Sequence, residues 1–219
     1  MNKSRVRKNV NSPGRPEGDG HLRKEILKVA RDLFAENGYA GTSLKKIGDQ
    51  VGVSAALLTY YFGSKEKLHE EIYLQTAGKI GNMRLQRLRD TLAAGGGIPE
   101  ILASFIAPLR ELAASEDGAA FLRFQTRVEG EPLEISFRLR HKAYDESTRA
   151  YVKAIMSLRP ELTEDVCFAR MACVIGATNY AVSERHRLDV LLPDVNAHEG
   201  TMKILTELES SSYRYFFEE

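Results

Sequence analysis

Apolar residues recur along most of this chain at intervals of three and four, which places them on one face of an α-helix. The pattern begins at Leu22 and continues through Ile26 and Ala30, with charged residues between them. Asn37 and Gly38 follow, and such a pair favours the left-handed turn that ends many helices. A first helix is therefore predicted over residues 22–37.

The rest of the chain repeats this alternation of helical pattern and helix-ending residues. Ser43, Ser54 and Ser64 each precede an apolar segment and can cap a helix with the hydroxyl group. Pro99 and Pro132 suit the first turns of later helices. No segment has the alternation of β-branched residues that is typical of strands, and no repeat is found. The prediction is an all-α fold of about nine helices, over 22–37, 43–51, 55–61, 64–91, 99–114, from 115 onward, 132–158, 163–187 and 197–215.

Composition narrows the class of protein. A hydrophobic content of 43% and a charged content of 28% are those of an ordinary soluble domain. No apolar stretch approaches 18 residues and the N-terminus lacks a signal-peptide core, so we expect a cytoplasmic protein without a membrane segment. Cys167 and Cys173 lack the paired spacing of a zinc site, and both are predicted to be small buried hydrophobes. No metal and no cofactor are expected.

The charges are divided unevenly along the chain. Residues 1–69 carry 13 Lys and Arg against 7 Asp and Glu, a net charge of +6, whereas the remainder has a net charge of −5. Residues 1–20 are basic and polar, with too little apolar surface to fold, and are predicted to be a flexible arm. A positive N-terminal part raises the local concentration of a polyanion, so this half is the candidate for nucleic-acid binding.

The positive half also contains the spacing of a helix-turn-helix. Gly52 interrupts one short predicted helix, Val53 follows, and Ser54 can cap the next. Leu44 and Ile47 belong to a small apolar set that can fix the angle between these helices. The start of the second helix is then free to enter a major groove.

The same segment carries the most specific motif of the chain. From Thr42 to Leu68 it reads TSLKKIGDQVGVSAALLTYYFGSKEKL and resembles the DNA-binding domain of TetR-family regulators. The resemblance covers residues 22–68, and Gly14-Arg15-Pro16 is similar to an element of the arms of such proteins. The family pattern is matched at Thr42-Ser43, Ile47, Gly52-Val53-Ser54, Leu58, Tyr61-Phe62 and Ser64-Lys65-Glu66, ending at Leu68.

Three positions depart from the family pattern, which usually has Tyr at Thr59 and Ala at Gly48 and Val51. The first departure leaves open which side chain makes the usual DNA contact, with Tyr60 as the natural substitute. The resemblance implies a DNA-binding domain over 21–68 and a helical ligand-binding and dimerisation domain over 69–219. It further implies a homodimeric repressor of a palindromic operator, released by a small, hydrophobic molecule.

The exposed face of the second helix offers few polar groups to DNA. Its Ala and Leu residues can make only apolar contacts with thymine methyl groups, so Thr59 and Tyr60 would supply the polar contacts. Lysines near the helix starts can hold phosphates, or can be ordinary solvated charges. The predicted DNA-contacting residues are Arg15, Thr42, Ser43, Lys45, Lys46, Ser54, Ala55, Ala56, Leu57, Thr59, Tyr60, Tyr61 and Lys65.

Small residues follow one face of the helix that begins at Thr163. Small side chains let another helix approach closely, and in TetR-like proteins the last two long helices pair across a two-fold axis. Packing inside one subunit is the alternative. The predicted dimer interface consists of Ala169, Ala172, Cys173, Gly176, Ala177, Tyr180, Leu205, Leu208 and Phe216.

The middle helices are rich in aromatic residues with a few polar groups among them, which describes a small-ligand pocket but also an ordinary core. His141 is the best candidate for a hydrogen bond to a ligand. The predicted ligand-binding residues are Phe105, Phe121, Phe124, Phe137, His141, Tyr144 and Asn179.

Two other classes of function compete with this interpretation. An enzyme has no support, because the chain lacks a nucleophile elbow, a dinucleotide or phosphate-binding loop and a His-Glu-x-x-His motif. A helical protein-interaction module would explain the bundle but would leave the basic arm and the helix-turn-helix spacing without a purpose.

Overall fold

The computed structural model describes residues 17–183, 187, 190–191 and 194–217, and its regular structure there is entirely helical. This confirms the all-α prediction and the count of about nine helices for the described part of the chain. The α-helices are α1 (Glu17–Asn37), α2 (Leu44–Val51), α3 (Ala55–Phe62), α4 (Lys65–Ala93), α5 (Ile98–Ala113), α6 (Glu116–Glu129), α7 (Leu133–Leu158), α8 (Glu164–Ser183) and α9 (Ala197–Ser211), followed by a 3-10 turn (Ser212–Phe216).

Side-chain caps begin the helices of the N-terminal unit, as the sequence predicts. The Oγ atoms of Ser43, Ser54 and Ser64 each accept a hydrogen bond from the backbone N–H three residues further on, at 3.1, 3.1 and 3.2 Å. Gly52 ends α2 in the left-handed conformation with φ of 81°, which only glycine adopts without strain. The turn between α2 and α3 is therefore encoded locally.

Helix boundaries differ from the prediction at both ends of the chain. Helix α1 begins at Glu17, so the last four residues of the predicted arm are helical. That segment has no apolar position to reveal a helical period. Residues 1–16 lie outside the described part, as do most residues between α8 and α9. Helix α9 gives way to a 3-10 turn four residues before its predicted end at Tyr215.

The long helix α4 joins the N-terminal helices to the rest of the molecule and packs along α7. At Gly81 the two helices are so close that an added Cβ would lie 2.3 Å from the carbonyl oxygen of Ala143. Ion pairs of Lys142 with Glu70 and of Arg138 with Glu66 join α7 to the start of α4. Helix α4 is thus held along its length.

An aromatic cluster joins the N-terminal helices to α6. The His69 ring lies 4.7 Å from that of Phe34 and 5.2 Å from that of Phe124, centroid to centroid, in edge contacts. Burial lowers the pKa of His69 to about 4, aided by the charge of Lys65, so the ring is neutral at neutral pH. The backbone N–H of Tyr39 also donates to the carboxylate of Glu131, at 2.6 Å.

Candidate nucleic-acid interface and ligand cavity

Helix α3 presents an open face to solvent. Tyr60 is 84% exposed and Thr59 and Ala56 are also exposed, whereas Leu58 and Phe62 are buried against α1, α2 and α4. The remaining predicted residues of this helix, Ala55, Leu57 and Tyr61, are half-buried. In the single subunit, the face of α3 that carries Tyr60 is therefore not covered by other parts of the described structure.

Exposed lysines and helix-opening backbone N–H groups belong to the same pair of packed helices. Lys45 and Lys46 are exposed in the first turn of α2. Ser43 and Ser54 each cap only one of the N–H groups that open α2 and α3, and other first-turn N–H groups point outward from the helix ends. Such N-termini suit phosphate oxygens. Thr59 Oγ1 donates to the Ala55 carbonyl at 3.0 Å, so its hydroxyl is left as an acceptor.

Two side chains predicted to contact DNA bind groups of the protein itself. Thr42 is 1% exposed, and its Oγ1 donates to the carbonyl oxygens of Leu33 and Gly38 at 3.1 and 2.9 Å. Lys65 Nζ donates to the carbonyl oxygens of Tyr39 and Thr42 at 2.9 and 3.1 Å. Both side chains thus bind the loop between α1 and α2. Arg15 lies outside the described residues, and its role stays a prediction.

A cavity of about 290 Å³ lies among α4 to α8. Four predicted ligand-binding residues line it: Phe137 and His141 at its exposed side, and Tyr144 and Asn179 further in. The rings of Phe137 and His141 are stacked, with centroids 5.9 Å apart, and His141 Nδ1 lies 2.8 Å from the Asp145 carboxylate.

The other three predicted ligand-binding residues do not line this cavity. Phe105, Phe121 and Phe124 are buried in the core. Phe105 packs on the Tyr151 ring and lies behind the cavity wall, and the other two pack around Tyr73. The structure places them outside this cavity because helical periodicity shows that a ring is buried but not which internal surface it faces.

Polar groups that the sequence analysis missed supply much of the lining. Tyr144 donates to Gln125 at 2.6 Å, and Asn179 donates to Glu129 at 3.2 Å. Burial raises the pKa of Glu129, against the opposing charge of Arg140. The wall is completed by Arg84, Leu109, Thr148, Ile175 and Thr178. No local signal distinguishes these residues from the solvated charges of an ordinary amphipathic helix.

The small face of α8 is uncovered in the single subunit. Ala169, Ala172 and Gly176 are exposed and Ala177 is half-buried, while Tyr180 at the end of the same face is exposed. Cys173 is also exposed, which contradicts its predicted burial, whereas Cys167 is buried as predicted. By length and composition alone, α8 is the one helix in the described part that could cross a membrane.

Two residues predicted for the dimer interface belong to the core of their own subunit. Leu205 and Phe216 are fully buried, and Leu208 is half-buried. Helix α9 packs on α5, and Arg110 Nε donates to the Glu209 carboxylate across this contact at 2.7 Å. The apolar side of α9 is therefore buried largely within its own subunit.

Comparisons with known proteins agree with the fold. Two family models match: "Bacterial regulatory proteins, tetR family" over residues 26–72, and "Tetracyclin repressor-like, C-terminal domain" over residues 103–210. The Corynebacterium efficiens transcriptional repressor AcnR is 36% identical over 58 residues, 26% of this chain and 31% of that protein. The Escherichia coli K12 regulator RutR is 43% identical over 53 residues, 24% of this chain and 25% of that protein. The match thus spans about a quarter to a third of these relatives.

Solved structures match over most of the chain. A tetR-family regulator from Shewanella sp. PV-4 has a TM-score of 0.62 at 19% identity, covering 89% of this chain and 95% of that one. FadR from Bacillus subtilis, solved in complex with stearoyl-CoA, has a TM-score of 0.59 at 20% identity, covering 87% and 98%. These likenesses concern the fold.

The family evidence therefore covers both halves of the molecule. The two family models together match more than two thirds of the chain, and the relatives and structural neighbours named above are regulators rather than enzymes. The chain belongs to the TetR family of bacterial regulatory proteins.

Proposed function

We propose that this protein is a cytoplasmic transcriptional repressor that binds a palindromic operator as a homodimer and is released by a small molecule. The observation that carries the proposal is the open face of α3, where Tyr60 is exposed, together with the exposed Lys45 and Lys46 of the adjoining helix α2. This is the geometry by which a helix-turn-helix places its second helix in a major groove. The repressor AcnR, which matches the same segment, supports repression rather than activation.

Direct reading of bases is expected to be modest. Tyr60 offers the most exposed hydroxyl on α3, and Thr59 offers an acceptor because its proton is given to Ala55. Ala56 and Leu57 can pack against thymine methyl groups. Ser43, Ser54, Ala55, Tyr61 and the two lysines of α2 complete the proposed surface, with phosphate contacts setting the position of the protein on DNA.

The homodimer is proposed to form through the exposed small face of α8. Ala169, Ala172 and Gly176 let an identical helix approach closely, and Tyr180 can cover the end of the contact. A two-fold axis at this helix makes the contact self-complementary. The other face of α8, which includes Met171 and Val174, is buried in the subunit, as expected of a soluble helix pair rather than a membrane span.

Helix α6 provides the proposed connection between ligand and DNA. Phe124 contacts Phe34 and His69 at the N-terminal helices, and the next residue, Gln125, lines the cavity. A ligand that shifts α6 would therefore move α1 and the attached helix-turn-helix. Couplings of about 1–3 kcal/mol would weaken operator binding roughly 5–150-fold.

Binding of the full-length protein to a labelled random-sequence duplex at several salt concentrations tests the DNA-binding part. We expect affinity to fall steeply with salt, and Tyr60→Ala and Lys46→Ala to weaken it. Lys153→Ala removes an exposed lysine of α7 and serves as the charge-matched control. Salt-insensitive binding, or equal losses in all three variants, would instead favour a helical protein-interaction module.

A further inference from the structure

Arg84 is a buried charge with no carboxylate partner. The residue is 5% exposed, its Nε donates to the Phe105 carbonyl at 2.9 Å, and its guanidinium lies 3.7 Å from the centroid of the Phe105 ring. Within the described part of the chain, no Asp or Glu lies within ion-pair distance of it. Burial lowers its pKa to about 10, so it still carries its charge at neutral pH. A buried charge is unfavourable unless it is paired.

The cavity is the route by which a counter-charge reaches Arg84. Arg84 forms part of the cavity wall, and the close contact of α4 with α7 at Gly81, one turn earlier, holds this part of α4 inside the bundle. The carboxylates of the same cavity are engaged elsewhere: Glu129 accepts from Asn179, and Asp145 pairs with His141. Neither neutralises Arg84.

The charged residues that line the cavity favour a ligand with one negative charge. Arg84 is the single buried cation of the lining, because Arg140 is exposed. A monoanion balances one guanidinium, whereas a phosphate dianion would also face the negative charges of Glu129 and Asp145. A carboxylate matches the planar fork of Arg in geometry as well as in charge.

The volume of the cavity selects the size of the ligand. About 290 Å³ lies at the lower end of the range of about 300–1,000 Å³ that is usual for drug-sized ligands. The apolar side chains of Leu109, Ile175 and Phe137 would pack on a short alkyl or aryl body. The structural neighbour FadR was solved with stearoyl-CoA, a ligand much larger than a short monocarboxylate.

Building on the proposed ligand response, we infer that the effector is a small aryl or alkyl monocarboxylate whose carboxylate binds Arg84. The terminal nitrogens of the guanidinium donate to the two carboxylate oxygens, and the apolar body lies toward α5 and α8. Binding then replaces the unpaired buried charge with an ion pair, which supplies the specificity for an acid over its neutral analogue.

The test uses 3-phenylpropanoate and octanoate, each compared with its own carboxamide, and titrates the full-length protein by calorimetry without DNA. We expect each acid to bind at least tenfold more tightly than its amide. Arg84→Met should abolish that preference, and Arg89→Met, which changes an exposed arginine of the same helix outside the cavity, should retain it. Equal binding of acid and amide, no binding of any of the four compounds, or a preference that survives in Arg84→Met would overturn the inference.

Thermal unfolding and DNA binding are measured as well, to separate a loss of ligand recognition from a folding defect and from a failure of the proposed function. Arg84→Met loses the hydrogen bond to the Phe105 carbonyl and the contact with the Phe105 ring, so its ligand-free melting curve is measured beside the titrations. A lost preference in a protein that still unfolds cooperatively is not a folding defect. A protein that binds the acids but no DNA would refute only the proposed function, and a DNA-binding protein indifferent to the acids would refute only this inference.

Discussion

Replacing Lys65 with Met separates structural lysines from DNA-contacting lysines. The Lys65 ammonium donates to two loop carbonyls, at 2.9 and 3.1 Å, and lies 4.1 Å from the centroid of the Tyr39 ring. A hydrogen bond to a charged group contributes about 1.5–3 kcal/mol, and partial exposure of Lys65 favours the lower end for each, so loss of both bonds should lower the free energy of unfolding by about 3 kcal/mol. Met keeps most of the apolar stem over the ring.

Lys46→Ala is the matched comparison, because this lysine is exposed and has only a proposed contact with phosphate. Each lost phosphate contact lowers the slope of log affinity against log salt by about 0.9, so a symmetric dimer should lose about 1.8. Urea unfolding and salt-dependent DNA binding are measured for both variants.

The two variants should show opposite results. Lys65→Met is expected to unfold at lower urea concentration while the salt dependence of its DNA affinity stays unchanged. Lys46→Ala is expected to keep its stability while the salt dependence of its DNA affinity becomes weaker. A Lys65→Met protein of normal stability with a reduced salt slope would refute the reassignment of Lys65 to the loop.

Three further predictions follow from the same packing. Gly48→Ala should destabilise the protein by about 1–3 kcal/mol and weaken DNA binding, because the new Cβ would lie 2.5 Å from the Val53 carbonyl oxygen. Urea unfolding measures this loss beside the control Gly78→Ala, whose new Cβ meets no atom within 4 Å and should stabilise α4 by up to about 1 kcal/mol. Gly176→Leu should leave the subunit folded by circular dichroism but dissociate the dimer in sedimentation, because no atom of the same subunit lies within 4 Å of an added Cβ; an unchanged dimer would exclude α8 from the interface. Lowering the pH from 6.5 to 5 should reduce the free energy of unfolding by about 2 kcal/mol through His69. In the unfolded state this histidine takes up its proton near pH 6.5, whereas its pKa in the folded state is about 4, so its contribution to stability is full above pH 6.5 and is lost toward pH 4. His69→Leu should flatten this part of the stability curve, and an unaltered slope would contradict the burial argument.

Local features of the fold were predictable because local chemistry determines them. The caps at Ser43, Ser54 and Ser64 and the left-handed Gly52 need only neighbouring residues, so the sequence pattern reveals them. The open face of α3 follows from the positions of Leu58 and Phe62, which assign the opposite side to the core. The helix-turn-helix was therefore accessible to sequence reasoning.

The errors concern choices that only tertiary contacts make. In the sequence Thr42 and Lys65 resemble exposed polar residues, and only the fold brings them against backbone carbonyl groups at the end of α1 and in the loop that follows it. Leu205 and Phe216 are apolar residues of the C-terminal segment, and they are buried where this segment packs on α5 and α8 of the same subunit. In the sequence Arg84 resembles a surface cation of an amphipathic helix. It lines the cavity only because α4 packs closely on α7.

Selection of bound DNA from a random duplex pool by the full-length protein tests the central claim most directly. Reading by α3 in a two-fold dimer predicts an enriched palindrome with half-sites about one helical turn apart, and predicts that Tyr60→Ala loses or alters this sequence. No enrichment by the folded protein, or recovery of the same sequence with equal affinity by Tyr60→Ala, would contradict the account.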